Sequence, residues 1–274
     1  MPGRILSIIA LTLSCTGTAL ADDMKVGGTG AADGLLLRLS EAFHAASPGD
    51  RIEVVAGLGS SGAIAAAAED AIGLAIVSRD LKSEEMAKGL MAAPLLHTPF
   101  LFVTSHPDPQ VLEKWAVVAI YNGTLTAWPD GKEIRPILRP KSDSVSSFLS
   151  DNFDDMQAAM DKLRQRMDVP VAATDQDNIE AAVTVPNSFA GTTLLQIMTE
   201  RPLLRPIALN GVHASVAGME LGAYRLKVRL DAVVKSTPSP VAQRFAAFLH
   251  SETAEKIIRD NGGAPLPART AFAQ

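Results

Sequence analysis

The sequence predicts an α/β protein built in two halves, on three observations. Strand-like runs alternate with helical stretches from Met24 onward. The run at 72–77 is continuous and apolar, as a strand buried on both faces is. Glycine- or hydroxyl-rich turns follow the strand ends. A length of 274 residues suits one large domain or two modest lobes, and a composition 47% hydrophobic and 20% charged supplies an ordinary core. The formal charge of -5, with no Lys/Arg-rich run, argues against a nucleic-acid binder.

Residues 1–21 read as an export signal. Arg4 supplies the positive start, 5–13 the apolar stretch, and Ala19-Leu20-Ala21 a small-x-small site that predicts cleavage after Ala21. The apolar stretch is too short for a membrane span, so no membrane insertion is expected after cleavage. Cys15 is the only cysteine and leaves with the signal, which removes disulfide and thiol chemistry from the mature chain. A lipoprotein anchored through Cys15 is the competing reading, and Thr12 three places ahead disfavours it.

The chain then reads strand, turn, helix, twice over. The glycine run 27–30, with Thr29 inside it, leads into Leu35, Leu36, Leu39 and Phe43 at close to helical spacing, and Ser47-Pro48-Gly49-Asp50 ends that helix. A strand over 52–55 enters Gly57-Leu58-Gly59-Ser60-Ser61-Gly62, and an Ala-rich helix over 63–71 leaves it. The strand 72–77 stops at Ser78-Arg79-Asp80, and Ser83-Glu84-Glu85 opens the next helix. Three loops thus follow parallel-type strand ends, where open α/β sheets hold ligands. Further on, 99–105 reads as a strand and 111–120 as a helix. A strand over 134–138 delivers Arg139-Pro140-Lys141-Ser142-Asp143-Ser144-Val145-Ser146-Ser147-Phe148, which opens an amphipathic stretch to 163. A helix at 178–185, strands at 203–209 and 224–234, and one strongly amphipathic helix over 241–259 complete the pattern.

Helix starts carry unpaired N–H groups and a partial positive charge, so a Gly/Ser-rich turn there suits a small anion. Ser60 or Ser61 could equally cap the helix, as Asp80 could near Ser83, and Asp143 and Ser144 could simply start theirs. Thr29 could serve only its turn, and Arg79 and Arg139 could be ordinary ion-pair residues, although the donor-rich turn beside Arg139 favours a ligand contact. Tyr121 and Trp128 are expected in the core. Enzymatic signals are missing: Gly59-Ser60-Ser61-Gly62 lacks the spacing of a nucleophile elbow, and the five histidines stand in no motif. There is no metal-ligand spacing, and no Gly-Lys-Ser/Thr follows the glycine run 27–30. Neither catalysis nor a cofactor is therefore expected.

Four motifs in series carry a family resemblance: Leu58-Gly59-Ser60-Ser61-Gly62, then 78–85, then 120–128, then Arg139 with Ser144, Ser146 and Phe148. In order and approximate spacing they resemble the phosphate-binding proteins of ABC-type transporters, from about Lys25 to the chain end. The resemblance implies a type II periplasmic binding protein, each lobe a mixed sheet flanked by helices, with a hinge of two crossing strands. It implies lobe one at 22–104 plus 222–274, and lobe two at 105–221. By the same resemblance the ligand set is Thr29 and Gly30; Ser60, Ser61 and Gly62; Ser78, Arg79 and Asp80; and Arg139, Asp143, Ser144 and Ser146. The implied partners are an inorganic oxyanion and a transporter permease, with the protein acting as a monomer.

This chain departs from that family at the fourth motif. Ser144-Val145-Ser146 stands in place of the usual Ser-Gly-Thr, and Val145 adds a β-branched side chain where glycine lets the backbone approach an oxyanion. A carboxylate acceptor in the site, either Asp80 or Asp143, would favour an anion that still holds a proton. With neither facing the cleft, molybdate, tungstate or sulfate would compete with phosphate. An envelope sensor or adaptor with a degenerate anion site is the remaining alternative, and phosphate-ester hydrolysis the weakest.

Overall fold

The computed structural model describes residues 22–109 and 111–267, so the expected signal segment 1–21 lies outside the described residues. In chain order the elements are β1 (Asp22–Gly28), a 3-10 turn (Gly30–Ala32), α1 (Asp33–Ala46), β2 (Asp50–Val55), α2 (Gly59–Ala68), β3 (Leu74–Val77) and α3 (Ser83–Met86). Next come β4 (Leu90–Thr104), α4 (Lys114–Asn122), β5 (Arg135–Pro136), α5 (Ser144–Asn152), α6 (Met156–Leu163), α7 (Asp175–Thr184), β6 (Ser188–Thr193) and α8 (Leu194–Glu200). The chain finishes with β7 (Arg205–Ile207), α9 (Val216–Glu220), β8 (Lys227–Lys235), α10 (Pro240–Phe248), α11 (Glu252–Asp260) and β9 (Ala264–Pro265).

One mixed sheet runs through the molecule in the order β2-β1-β3-β8-β4-β6-β5, with β7 and β9 also pairing with β4. β1 is parallel to β2 and β3, whereas β8 is antiparallel to both β3 and β4. The long strand β4 joins the two lobes: from Leu90 to Pro99 it pairs with β8, and from Phe100 onward it pairs with β6 and β7. Two cores form on either side of this change of partner. One gathers Val26, Leu35, Leu36, Phe43, Ile76, Leu230 and Phe245; the other gathers Phe100, Phe102, Tyr121, Trp128, Phe153, Met160 and Phe189. Val228 of β8 packs against both, as a hinge-strand residue must. The fold is thus two-lobed, with mixed sheet flanked by helices and paired strands between the lobes. Helix α8 straddles the junction, with Leu195 in the first core while Leu194 and Ile197 pack within the second lobe.

Two helices expected as continuous are broken, each for a local reason. The 241–259 helix ends at Phe248 and restarts at Glu252, because the Ser251 hydroxyl accepts the Ala254 N–H and caps a new helix. The amphipathic stretch to 163 splits into α5 and α6 at an extended Phe153 and an Asp155 held at φ 61°, a left-handed conformation that Asp tolerates better than most residues. The strand expected at 99–105 is only the far end of β4. Its first part alternates no pattern of its own and is extended by pairing with β8.

Candidate functional site

Helix α2 begins at Gly59, so the Gly-Ser-Ser-Gly run forms its first turn rather than the turn before it, and no side chain caps the preceding Leu58. Ser60 is buried and faces the end of β3. Its hydroxyl accepts the Ser78 N–H at 3.1 Å and lies 3.1 Å from the Ser78 hydroxyl. The Ser78 hydroxyl in turn donates to Ser144 Oγ at 3.0 Å, across the junction into the first turn of α5. Three hydroxyls therefore run in a chain from one lobe into the other. With Ser78 donating to Ser144, the proton left over is that of Ser144, which has no acceptor among the described residues.

Beside this chain lies a charged centre. Arg139 is only 6% exposed. One of its terminal nitrogens donates to the Ala172 carbonyl at 2.8 Å, and the other to Asp143 at 2.8 Å and Asp175 at 3.2 Å. Its Nε is buried with no partner among the described residues. Asp143 caps α5 by accepting the Val145 N–H at 2.9 Å; burial raises its pKa, and the Arg139 charge and that hydrogen bond oppose the rise. The other oxygen of Asp175 reaches into the first lobe, accepting from the Thr29 hydroxyl at 3.2 Å and from the Ala31 N–H at 3.0 Å. Next to it, Gln176 donates to the Gly30 carbonyl at 2.9 Å. A Cβ on Gly30 would fall 2.5 Å from the Gln176 amide oxygen, so the lobes meet this closely only over a glycine.

The remaining candidates are engaged differently. Arg79 forks onto Glu85 at 2.8 and 2.9 Å and donates to Ser61 Oγ, and this contact holds the Glu85 carboxyl down at about 2. Asp80 is exposed and pairs with Arg229 rather than capping α3, whose N-cap position is Lys82 with no side-chain cap; Glu85 accepts the Lys82 N–H at 2.8 Å. The hydroxyl of Ser146 turns into the second lobe, donating to the Pro140 carbonyl at 2.9 Å and accepting from Arg164. Gly62 is exposed on the first turn of α2. Turns 58–62 and 78–80 of one lobe and 140–148 of the other face a common groove of about 560 Å³. Thr29, Ser78, Ser144 and Asp175 line a second, smaller cavity behind it. Among the described residues no cluster of His, Cys, Asp and Glu is placed to hold a metal ion, and no helix is long and apolar enough to cross a membrane.

A family model described as a PBP superfamily domain matches residues 14–253. The chain belongs to the PBP superfamily. No curated protein matches it. Among solved structures, a protein from Clostridium perfringens described as a phosphate ABC transporter substrate-binding protein, with phosphate bound, is similar with a TM-score of 0.77 at 18% identity. The match covers 90% of this chain and 100% of that one. An ABC-type phosphate transport receptor from Vibrio cholerae gives a TM-score of 0.60 at 17% identity, over 90% and 100% of the two chains. A reduced form of OxyR from N. meningitidis gives a TM-score of 0.58 at 10% identity, over 89% and 99%. At these identities the likeness shows the fold alone, and a ligand has to be argued from the site.

In this PBP superfamily chain, Asp175 is the residue that sequence reasoning missed. The helix expected at 178–185 starts earlier, at Asp175. The signal for that start is Thr174 followed by Asp177, a reciprocal capping box in which the Thr174 hydroxyl accepts the Asp177 N–H and the Asp177 carboxylate accepts the Thr174 N–H. A second carboxyl also stands near the seam. Asp33, at the start of α1, accepts the Gly57 N–H at 3.1 Å through one oxygen while its other oxygen is buried with no partner among the described residues. Burial pushes its pKa from 3.8 up to about 7, and the nearby Asp175 and Glu200 charges add to the rise. In that window the folded chain holds a proton that the unfolded chain has lost. Stability contributed at this site therefore falls as pH rises from 3.8 to about 7 and levels off above it. Asp33→Asn is expected to flatten that slope, as read from urea midpoints at pH 4.5, 6 and 8; an unchanged slope would remove Asp33 as its source.

Proposed function

We propose that this chain is an exported substrate-binding protein that captures inorganic phosphate between its lobes and passes it to an ABC transporter permease, acting as a monomer in the periplasm. One observation carries the reading: the hydroxyls of Ser60, Ser78 and Ser144 converge from both lobes, ending in an O–H without an acceptor. An oxyanion entering from the groove would take the place of the direct contact between Ser78 and Ser144. It would accept from both hydroxyls and from N–H groups in the first turn of α2, within reach of the Arg139 charge. Because the donors come from two lobes, the anion would bind the closed form better than the open one and shift the population toward closure. This is binding and release, with no bond made or broken.

The choice of phosphate rests on Asp175, taken here as the carboxylate acceptor in place of Asp80 or Asp143. A carboxylate at the seam tolerates an anion that can donate a proton to it and repels one that cannot. Phosphate keeps a proton at neutral pH; sulfate, molybdate and tungstate do not. A thermal-shift screen of these four anions on the mature chain tests this. Phosphate is expected to stabilise by about 2.7 kcal/mol at 100 times its Kd, the other three by much less.

A sensor or adaptor with a degenerate site is the second reading, favoured by the two carboxylates that already neutralise Arg139. No shift with any of the four anions would establish it over transport, and a shift with sulfate equal to that with phosphate would remove the role given to Asp175.

A further inference from the structure

Behind the Ser78 and Ser144 hydroxyls lies a chamber of about 40 Å³ that a bare inorganic anion would leave unused. Its wall is largely apolar: Phe100 and Val228 from the hinge strands, Leu230 from β8, and Val145 and Phe148 from α5. Phe100 and Phe148 close one side with ring centroids 4.6 Å apart. Most of the polar side chains that reach the chamber are engaged with one another, and Thr193 accepts the Gln196 N–H. Thr192 donates to the Gln196 carbonyl oxygen at 2.8 Å, Gln196 donates to Glu200 and the Asp175 carbonyl, and Thr29 donates to Asp175. Such a wall offers a guest mainly dispersion contact, and the unmatched Ser144 proton stands at the partition, where the anionic headgroup would sit.

Ser78, Ser144 and Phe148 line both this chamber and the open groove, so the pair of hydroxyls is the partition between them. An oxyanion held at the partition has one face toward the chamber. On the reading that the cleft holds an oxyanion, we infer that the site also takes oxyanions bearing one short alkyl group, namely alkylphosphonates of one or two carbons, with the alkyl group in the chamber. The size limit follows from the volume. A water occupies roughly 10–15 Å³ by this measure and a benzene-binding cavity roughly 150 Å³, so the chamber admits a methyl or ethyl group and excludes an aryl ring.

The test is a calorimetric series of phosphate, methylphosphonate, ethylphosphonate and phenylphosphonate on the mature chain. Each carbon buried against an apolar wall is worth about fourfold in affinity, so ethylphosphonate is expected to bind about fourfold tighter than methylphosphonate, with phenylphosphonate excluded. The comparison of methyl with ethyl keeps the headgroup constant. Filling the chamber with Val228→Phe should reverse that order, and opening it with Phe148→Ala should admit butylphosphonate, so the inference survives the loss of either variant to misfolding. Phosphate binding together with ethylphosphonate no tighter than methylphosphonate overturns the inference and leaves the proposed function standing. Failure of phosphate and all phosphonates to bind overturns both.

Discussion

Alanine in place of Arg139 is expected to lower the stability of the whole molecule by about 3–5 kcal/mol, read as a drop in urea midpoint without ligand. The guanidinium is 6% exposed and is the shared partner of Asp143 and Asp175, so its removal strands two carboxylates in a partly desolvated seam. Burial already raises the Asp143 pKa and the Arg139 charge opposes that rise, so without Arg139 the Asp143 carboxyl should take up a proton more readily and the deficit should shrink at pH 4.5. Adding Asp175→Asn to Arg139→Ala should also recover part of the loss, because it removes one of the stranded charges. A variant as stable as the parent at pH 7 would mean that Arg139 does not organise the junction between the lobes.

Aspartate in place of Ser144 is expected to abolish oxyanion binding, with a loss on the order of 10²–10³-fold in affinity, from the several kcal/mol that like-charge juxtaposition costs. Position 144 is where the hydroxyl chain ends, in the first turn of α5 and 3.0 Å from Ser78 Oγ, so a carboxylate there would stand where the anion is received. Folding should be little affected: a carboxylate in the first turn of a helix is favourable to the dipole, and Ser144 is half-buried rather than core. Ser144→Ala is the milder control. It removes one donor and should cost about 1.5–3 kcal/mol of binding, the range for a hydrogen bond to a charged group. Calorimetry on the two variants separates repulsion from lost donation, and retained binding in the aspartate variant would place the anion elsewhere.

Much of the site's scaffold is legible in local chemistry. The break at 57–62 and the stop at 78–80 are written in glycine and serine between apolar runs, although 59–62 proves to be the first turn of α2, and the structure brings both to one crevice with the start of α5. Tyr121 and Trp128 are core residues, each 2% exposed, as expected from their bulk. What local chemistry does not carry is the choice of partner. Arg79 has Glu85 within reach on the next short helix, and Asp80 meets Arg229 from a strand far along the chain. Spacing alone therefore cannot tell a ligand contact from an ion pair at these positions. Ser146 shows the same limit: beside Ser144 in sequence, it turns to the opposite side of α5 because successive helical residues point in different directions. The part of β4 before Pro99 is extended through its pairing with β8, information stored more than a hundred residues away.

The placement of the guest is tested most directly by diffraction from crystals of the mature chain grown with phosphate. A single phosphate is expected at the partition between groove and chamber, within hydrogen-bond distance of Ser78 and Ser144 from opposite lobes and of the first turn of α2. Crystals in which Ser78 still donates to Ser144 directly, with the anion on an outer surface or absent at saturating phosphate, would contradict it.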